Sequence, residues 1–381
     1  MYKLYYTNKD FKPNGNSVEK VPLLLRVDDM SFEFAPTKWF FYLSLESGNT
    51  TSPETWRSYA EAIYDWFQTC SMNNWDWTTI TREHLIAYKN NMLTNHSSHN
   101  RPYSKNTING YLKRICLFYE WALKNKYISQ LPFQKDEISH NINIKDSNFL
   151  AHLKTKNVIY KNDLVIKTSK KIPHCLTSSE LNSFLNNLEE RDQLIVKWSV
   201  MTGMRRKEVL GLKLSDLPHS SNNEPIQRIE ITITKGSKPR AIFVPLSLLD
   251  ETNHYIKTIR RMIAKKFNTL NVFQDLWIGK TTGKPITNKA LNKNCSAAFK
   301  KANINATFHH LRHTYAIKML SILTKQSQSN GLNPLKTLQT LLGHSNISTT
   351  MIYLESLSID LNEIEQSLNT LYGDLLIEKK L

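Results

Sequence analysis

Between residues 36 and 128 apolar side chains recur at steps of three and four, the spacing that places them on one face of an α-helix. Thr51-Ser52-Pro53-Glu54 has the hydroxyl-to-glutamate spacing of a capping box, with proline in the first turn. Behind it Trp56, Tyr59, Ile63, Trp66 and Phe67 share a face. A second helix is expected from near Thr81, carrying Leu85, Ile86 and Tyr88. A third is expected from near Lys105, burying Ile108, Tyr111, Leu112, Ile115, Phe118 and Tyr119. The polar stretch NHSSHNRPYS between them holds His96, His99 and Arg101. Together these make a small helical domain, whose aromatic stripe fits a core better than a base-stacking surface.

A second patterned region begins at Leu176. Thr177-Ser178-Ser179-Glu180 is another capping box, ahead of Leu181, Phe184, Leu185 and Leu188. Leu194 to Val200 continues as helix into MTGMRRKEVLGLKLSDL. Two strand-like runs, IQRIEITIT and AIFVPL, flank the turn KGSKPR and predict a β-hairpin. Helical patterns follow to the C-terminus. Leu361, Ile364, Leu368, Leu371 and Leu375 give the last helix one apolar face, to be buried on its own domain or on another copy of the chain. The expected fold is therefore mostly α with a small antiparallel β-sheet.

Two segments lack this regularity. Residues 1–35 are basic and aromatic and include the apolar run PLLLRV, which suits a short strand pair, an arm, or a segment packed on the next domain. Residues 129–172 lose the periodicity and carry Lys145, Lys154, Lys156, Lys161, Lys167, Lys170 and Lys171, as expected of a basic interdomain linker. The resulting division is 1–35 extension, 36–128 helical domain, 129–172 linker, 173–357 second domain and 358–381 terminal helix.

Charge narrows the choice of partner. The 381 residues carry a formal net charge of +17, an excess that favours a polyanion by counterion release. No apolar run is long enough to cross a bilayer, no lipidation motif supports a membrane partner, and the first residues lack the apolar core of a secretory signal. Cys70, Cys116, Cys175 and Cys295 lie too far apart for a zinc or redox motif and are expected as reduced thiols in the cytoplasm. Neither a metal nor another cofactor is expected.

The second domain spreads six chemically suggestive residues along its length. Arg205 lies in TGMRRKE, Lys235 in the hairpin turn, His309 and Arg312 three apart in HHLRH, His344 after the glycine of LLGHSN, and Tyr353 in TTMIYLE. Each has an ordinary structural explanation alone. As a set they meet what metal-free phosphodiester cleavage needs. Two guanidiniums can fork onto the nonbridging oxygens and stay charged. A tyrosine hydroxyl can attack phosphorus and store the bond energy as an ester. A lysine can protonate the leaving oxygen, and histidines can shuttle protons.

These boxes, in this order, resemble the tyrosine recombinase (phage integrase-like) family. TGMRRKEVLGLKLSDL is similar to its first arginine box, ITKGSKPRAIFVPL to its lysine hairpin, HHLRHTYA to its His-x-x-Arg helix and LLGHSNISTTMIYLE to its histidine-tyrosine box. The helical region before them is similar to the family's core-binding, SAM-like domain through its pattern. Leu354-Glu355 departs from the family, where a histidine often stands two residues beyond the tyrosine.

The resemblance implies a DNA breaking-rejoining fold with Arg205, Lys235, His309, Arg312, His344 and Tyr353 as the catalytic set. Glu208 and His313 would support those residues rather than touch DNA. It further implies a site-specific recombinase or integrase acting on double-stranded DNA, forming a 3′-phosphotyrosine and a Holliday junction without cofactors. Four copies would assemble on two DNA sites, with the terminal helix docking on a neighbour and accessory DNA-bending proteins as further candidate partners. Integration or excision of a mobile element, in the cytoplasm at the bacterial nucleoid, would be its setting. Two competing expectations are a type IB topoisomerase and a non-catalytic DNA-binding accessory protein on the same fold.

Overall fold

A computed structural model of the chain describes residues 1–48, 52–94, 102–139, 158–162, 164–168, 173–218, 224–232, 239–331 and 333–354. It divides into two compact units, Met1–Lys170 and Lys171–Leu381. Lys235, the residues His96, His99 and Arg101, and the expected terminal helix 358–381 lie outside the described residues.

The first unit opens with a hairpin, β1 (Tyr2–Tyr6) antiparallel to β2 (Pro22–Arg26), with Tyr2 opposite Arg26. It packs on the helices that follow. Leu24 is fully buried, and the Tyr2 ring sits edge-on to Phe67 at 5.7 Å. Four helices succeed it: α1 (Phe34–Phe41), α2 (Pro53–Met72), α3 (Arg82–Thr94) and α4 (Lys105–Lys124). Their starts match the sequence pattern. Ser52 stands at the start of α2 with its hydroxyl 2.6 Å from Glu54, and Thr51, the first residue of the expected capping box, lies outside the described residues.

The periodic face becomes the core: Trp39, Ile63, Trp66, Phe67, Leu85, Ile115 and Phe118 are at most 1% exposed. Each such side chain contributes ~1.5–3 kcal/mol by leaving water. The polar tips of the buried rings are satisfied internally. Trp66 Nε1 donates to the Tyr119 hydroxyl, which donates to the Trp77 carbonyl, both at 3.0 Å. Tyr88 donates to Asp65 at 2.5 Å.

The expected irregular linker is partly ordered within this unit. β3 (Lys135–Ser139) pairs antiparallel with β4 (Val158–Asn162), Leu164 is buried in the helical core, and the Asn109 side chain brackets the Ile166 backbone with two 2.9 Å hydrogen bonds. The strands are too short, and too far apart along the chain, for the local signals that mark a hairpin.

The second unit contains α5 (Ser178–Leu185), α6 (Glu190–Thr202) and α7 (Arg206–Leu210), then a hairpin of β5 (Ile226–Ile231) and β6 (Arg240–Pro245). Thr177 and Glu180 form both bonds of the expected capping box. Next come α8 (Leu246–Tyr255), a π-helical turn at Ile256–Arg260, α9 (Arg261–Lys266) and α10 (Asn288–Lys301). The chain closes through α11 (Phe308–Asn330), α12 (Pro334–Leu342) and α13 (Ser348–Met351).

Ile231 opposite Arg240 sets the hairpin register, so Ile229, Ile231, Ile242 and Val244 face a core shared with Trp198, Val209 and Trp277. A second cluster, from α11 and α12, includes Ala316, Leu320, Leu338, Leu342 and Tyr353. No helix among the described residues is long and apolar enough to cross a membrane, and all four cysteines are free thiols.

Candidate active site

Two helix ends create the electrostatic setting. Gly203 caps α6 and Gly343 caps α12, both in the left-handed region, with φ of +69° and +63°. Glycine accepts this conformation without strain. Space also requires it: a Cβ on Gly203 would lie 2.4 Å from Tyr315 Cδ1, and one on Gly343 2.5 Å from Arg240 Cδ. These ends aim carbonyls at one cation. Arg312, 2% exposed, donates from Nη1 to Gly203 O and from Nη2 to Leu342 O, each at 2.6 Å. Carbonyls at helix C-termini carry partial negative charge and suit a guanidinium. Two of its five N–H groups are thereby used.

Glu208 ties the arginines together. As the third residue of α7 it accepts the Arg205 backbone N–H at 2.8 Å, the reciprocal half of a capping box. Its other oxygen pairs with Arg205 Nη1 at 2.8 Å. Arg240, on β6, reaches the same carboxylate at 2.7 Å, and Arg312 Nη1 lies 4.0 Å away. Burial alone would raise the Glu208 pKa, but Arg240 and Arg205 overcome it and hold the carboxyl below its ordinary value. Burial, then repulsion by Arg205 and Arg240, pulls Arg312 down to about 9, still protonated at neutral pH.

Arg240 was not among the residues singled out from sequence. It is 7% exposed, donates to both Glu208 and Leu341 O, and leaves its buried Nε without a partner. Its only sequence cue is a charged residue at the start of an otherwise apolar strand.

Tyr353 follows α13 and is 2% exposed, packed against α11 and α12 of its own chain. Burial raises its phenol pKa, against the opposing pull of Arg312 and Arg205. Its hydroxyl lies 3.0 Å from His313 Nδ1. His313 was expected to act at one remove, yet it touches the tyrosine oxygen directly. His309 stands edge-on to His313, with ring centroids 4.4 Å apart. Residues 309, 312 and 313 share a face of α11, which brings both histidines to the arginine side. His344 is fixed by Thr350, 3.0 Å from its Nδ1, and its ring lies nearly parallel to Tyr353 at 6.4 Å. Desolvation first, then neighbouring cations, lowers His313 and His344 to about 4 and His309 below its usual value. His313 and His344 are thus neutral at physiological pH.

The fold therefore gathers Arg205, Glu208, His309, Arg312, His313, His344 and Tyr353 into one cluster. Lys235 belongs to the connection between β5 and β6, outside the described residues. Among the described residues, no group of three or more His, Cys, Asp and Glu side chains is arranged to hold a metal. The cluster offers a phenol, two guanidiniums and neutral imidazoles, groups suited to phosphoryl transfer to tyrosine.

Comparison with known proteins agrees. The Phage integrase family profile matches residues 174–358, and that of the Phage integrase SAM-like domain matches residues 37–138. Tyrosine recombinase XerC of Halalkalibacterium halodurans is 26% identical over 259 residues, spanning 66% of this chain and 71% of the relative. Among solved structures, the XerH site-specific recombinase bound to palindromic difH substrate in a post-cleavage complex aligns with a TM-score of 0.55. It is 19% identical and covers 90% of this chain and 85% of that one. A lambda integrase dimer bound to a COC′ core site aligns with a TM-score of 0.52 at 14% identity, over 82% and 92% of the two chains. At these identities the structural matches establish the fold. The sequence boxes, both family profiles and the curated relative together place this chain in the tyrosine recombinase (phage integrase) family, the site-specific recombinases that cleave and rejoin DNA strands.

Proposed function

We propose that Tyr353 is the nucleophile of this recombinase and that Arg205 and Arg312 clamp the scissile phosphate of double-stranded DNA. The observation that carries the reading is the arginine pair, Arg312 buried and Arg205 27% exposed, joined through Glu208 beside a buried tyrosine with a hydrogen-bonded hydroxyl. Attack forms the Tyr353 Oη–P bond and breaks the bond from phosphorus to the 5′ oxygen, leaving a 3′-phosphotyrosine. The guanidiniums are already fixed by Glu208 and two helix ends, so they stabilise the developing charge with little reorganisation. Lys235 protonates the departing 5′ oxygen. His309 and His344 donate hydrogen bonds to the phosphate.

The 5′ hydroxyl then attacks the partner duplex. Because the ester keeps the bond energy, two such exchanges through a Holliday junction need no energy source. The assembly is a tetramer on two DNA sites, in which the terminal helix 358–381 docks on a neighbour. The helical domain also contacts the duplex, and the +17 charge supports DNA binding. Integration or excision of a mobile element in the bacterial cytoplasm is the setting this reading favours.

The test is to trap protein covalently joined to DNA in cells and sequence the attached DNA. Wild type is expected to yield adducts at one short recurring sequence. Tyr353→Phe should bind that sequence normally and give no adduct. An adduct from the Phe variant that survives boiling in detergent would move the nucleophile elsewhere.

A further inference from the structure

We infer that His313, the histidine immediately after the clamping Arg312, receives the Tyr353 proton during cleavage and returns it during rejoining. The inference rests on Tyr353 being the nucleophile. Its geometric basis is the 3.0 Å contact between His313 Nδ1 and the Tyr353 hydroxyl. Among the described residues, His309 makes no hydrogen bond to that hydroxyl and meets His313 ring to ring. His344 is also engaged elsewhere, at Thr350.

With its proton on Nε2, His313 presents the Nδ1 lone pair to the phenol. Its surroundings keep it neutral: His309, His310 and Arg312 on its own helix repel a proton there, and the ring is partly desolvated. Tyr353, from beyond α13, is the group packed on its Nδ1 side.

The step balances. As Tyr353 Oη bonds to phosphorus, the phenol proton passes to His313 Nδ1. The electron pair of the breaking P–O bond leaves with the 5′ oxygen, which takes its proton from the acid assigned to Lys235. The tyrosyl ester no longer needs a proton, so His313 stays an imidazolium beside the anionic phosphodiester. When the 5′ hydroxyl attacks in the rejoining step, it returns its proton to the Lys235 amine, the bond from phosphorus to Tyr353 Oη breaks, and the imidazolium gives its proton to the departing tyrosine oxygen. Arg312, which helps to disfavour a charged His313 in free protein, is neutralised by the bound phosphate. DNA binding therefore makes His313 a better base at the moment one is needed.

The experiment uses full-length protein and a nicked duplex built on the sequence recovered by covalent trapping, with single-turnover adduct formation measured from pH 4.5 to 9. His313→Asn keeps a hydrogen-bond acceptor near the Nδ1 position but accepts no proton. It should bind the duplex as wild type does and cleave on the order of 10²- to 10⁴-fold more slowly. Its rate should climb with pH across the whole range, without the plateau that wild type reaches once His313 is deprotonated. His309→Gln should retain that plateau. Adding imidazole to His313→Ala should raise its cleavage rate and leave His313→Asn unchanged. Cleavage by His313→Asn within tenfold of wild type, with the wild-type pH profile, would overturn the inference. So would failure of imidazole to rescue a His313→Ala protein that still binds the duplex. Neither failure would touch the nucleophile assignment, which the Tyr353→Phe adduct test decides separately.

Discussion

The two units bury opposite kinds of chemistry. In the first, the interior is rings on rings: Phe118 contacts Trp39, Phe67, Trp77, Tyr119 and Trp121. Its buried polar atoms are mostly neutral tips that satisfy one another, as in Trp66–Tyr119. In the second, an apolar core of similar quality surrounds Glu208, Arg240 and Arg312, each with a side chain at most 7% exposed. Removing such charges from water costs several kcal/mol apiece, and their mutual attraction recovers that only with near-complete pairing. The aromatic unit has many interchangeable contacts. The charged centre has few, and each depends on the rest. That dependence fixes the guanidiniums relative to one another.

The largest effect expected from this contrast comes from one atom. Glu208→Gln preserves shape but removes the anion shared by three guanidiniums. Breaking a buried pair this way costs roughly 3–5 kcal/mol. By comparison, Phe118→Leu in the first unit changes volume modestly and should cost less than ~1.5 kcal/mol, since neighbouring rings can repack. Urea unfolding followed by hydrogen exchange in peptides from each unit would measure both. Equal losses would mean that the charged centre is no more interdependent than the aromatic core.

A smaller effect is expected at Arg240, which touches neither Tyr353 nor, in the proposed mechanism, the phosphate. Lysine there can reach Glu208 or Leu341 O but not both, and so leaves the carboxylate free to draw Arg205 away. Loss of one charge-assisted hydrogen bond is worth about 1.5–3 kcal/mol, so Arg240→Lys should slow cleavage about tenfold or more. Binding of the duplex should stay near wild type. If Arg240 acts through Glu208, the Glu208→Gln/Arg240→Lys double variant should cleave no more slowly than Glu208→Gln alone. Additive losses would give Arg240 a role independent of the carboxylate.

Sequence revealed the two regions unequally. The helical unit was legible because its signals are local: Ser104 before α4 and the ring spacing of α2 and α4 need only neighbouring residues. The arginine and histidine boxes were legible as a set through their order and their resemblance to the family, and His309 and Arg312 also through their three-residue spacing. What joins them was not. The Arg240–Glu208 pair spans 32 positions and the His313–Tyr353 contact spans 40, and only the tertiary fold brings them together. Gly203 and Gly343 cap their helices, but nothing local in the sequence shows that both ends serve Arg312. The β3–β4 pairing failed to register for the same reason, since residues 140–157 separate its strands.

Acid offers the gentlest way to separate the units, because their buried groups respond with opposite sign. In the second, His313 and His344 resist protonation until about pH 4, whereas an unfolded histidine takes a proton near 6.5. The unfolded state therefore binds more protons between these values. Stability is complete above pH 6.5 and falls as pH drops towards 4. Glu208 adds to the loss lower down, because its depressed pKa contributes stability only above the unfolded carboxylate value. In the first unit, burial raises the Asp65 pKa despite the hydrogen bond from Tyr88. Its native state holds that proton more tightly than the unfolded chain does, so acidification favours folding there. Moving from pH 7 to pH 5 should lower the melting temperature of the second unit and leave the first unit unmoved. Peptide-resolved hydrogen exchange during thermal ramps would assign each transition. A double His313→Asn/His344→Asn variant should flatten the acid dependence of the second unit. If both units weaken in parallel, or if the double variant keeps the slope, some other group governs the acid response and the electrostatic contrast between the units is smaller than their contacts imply.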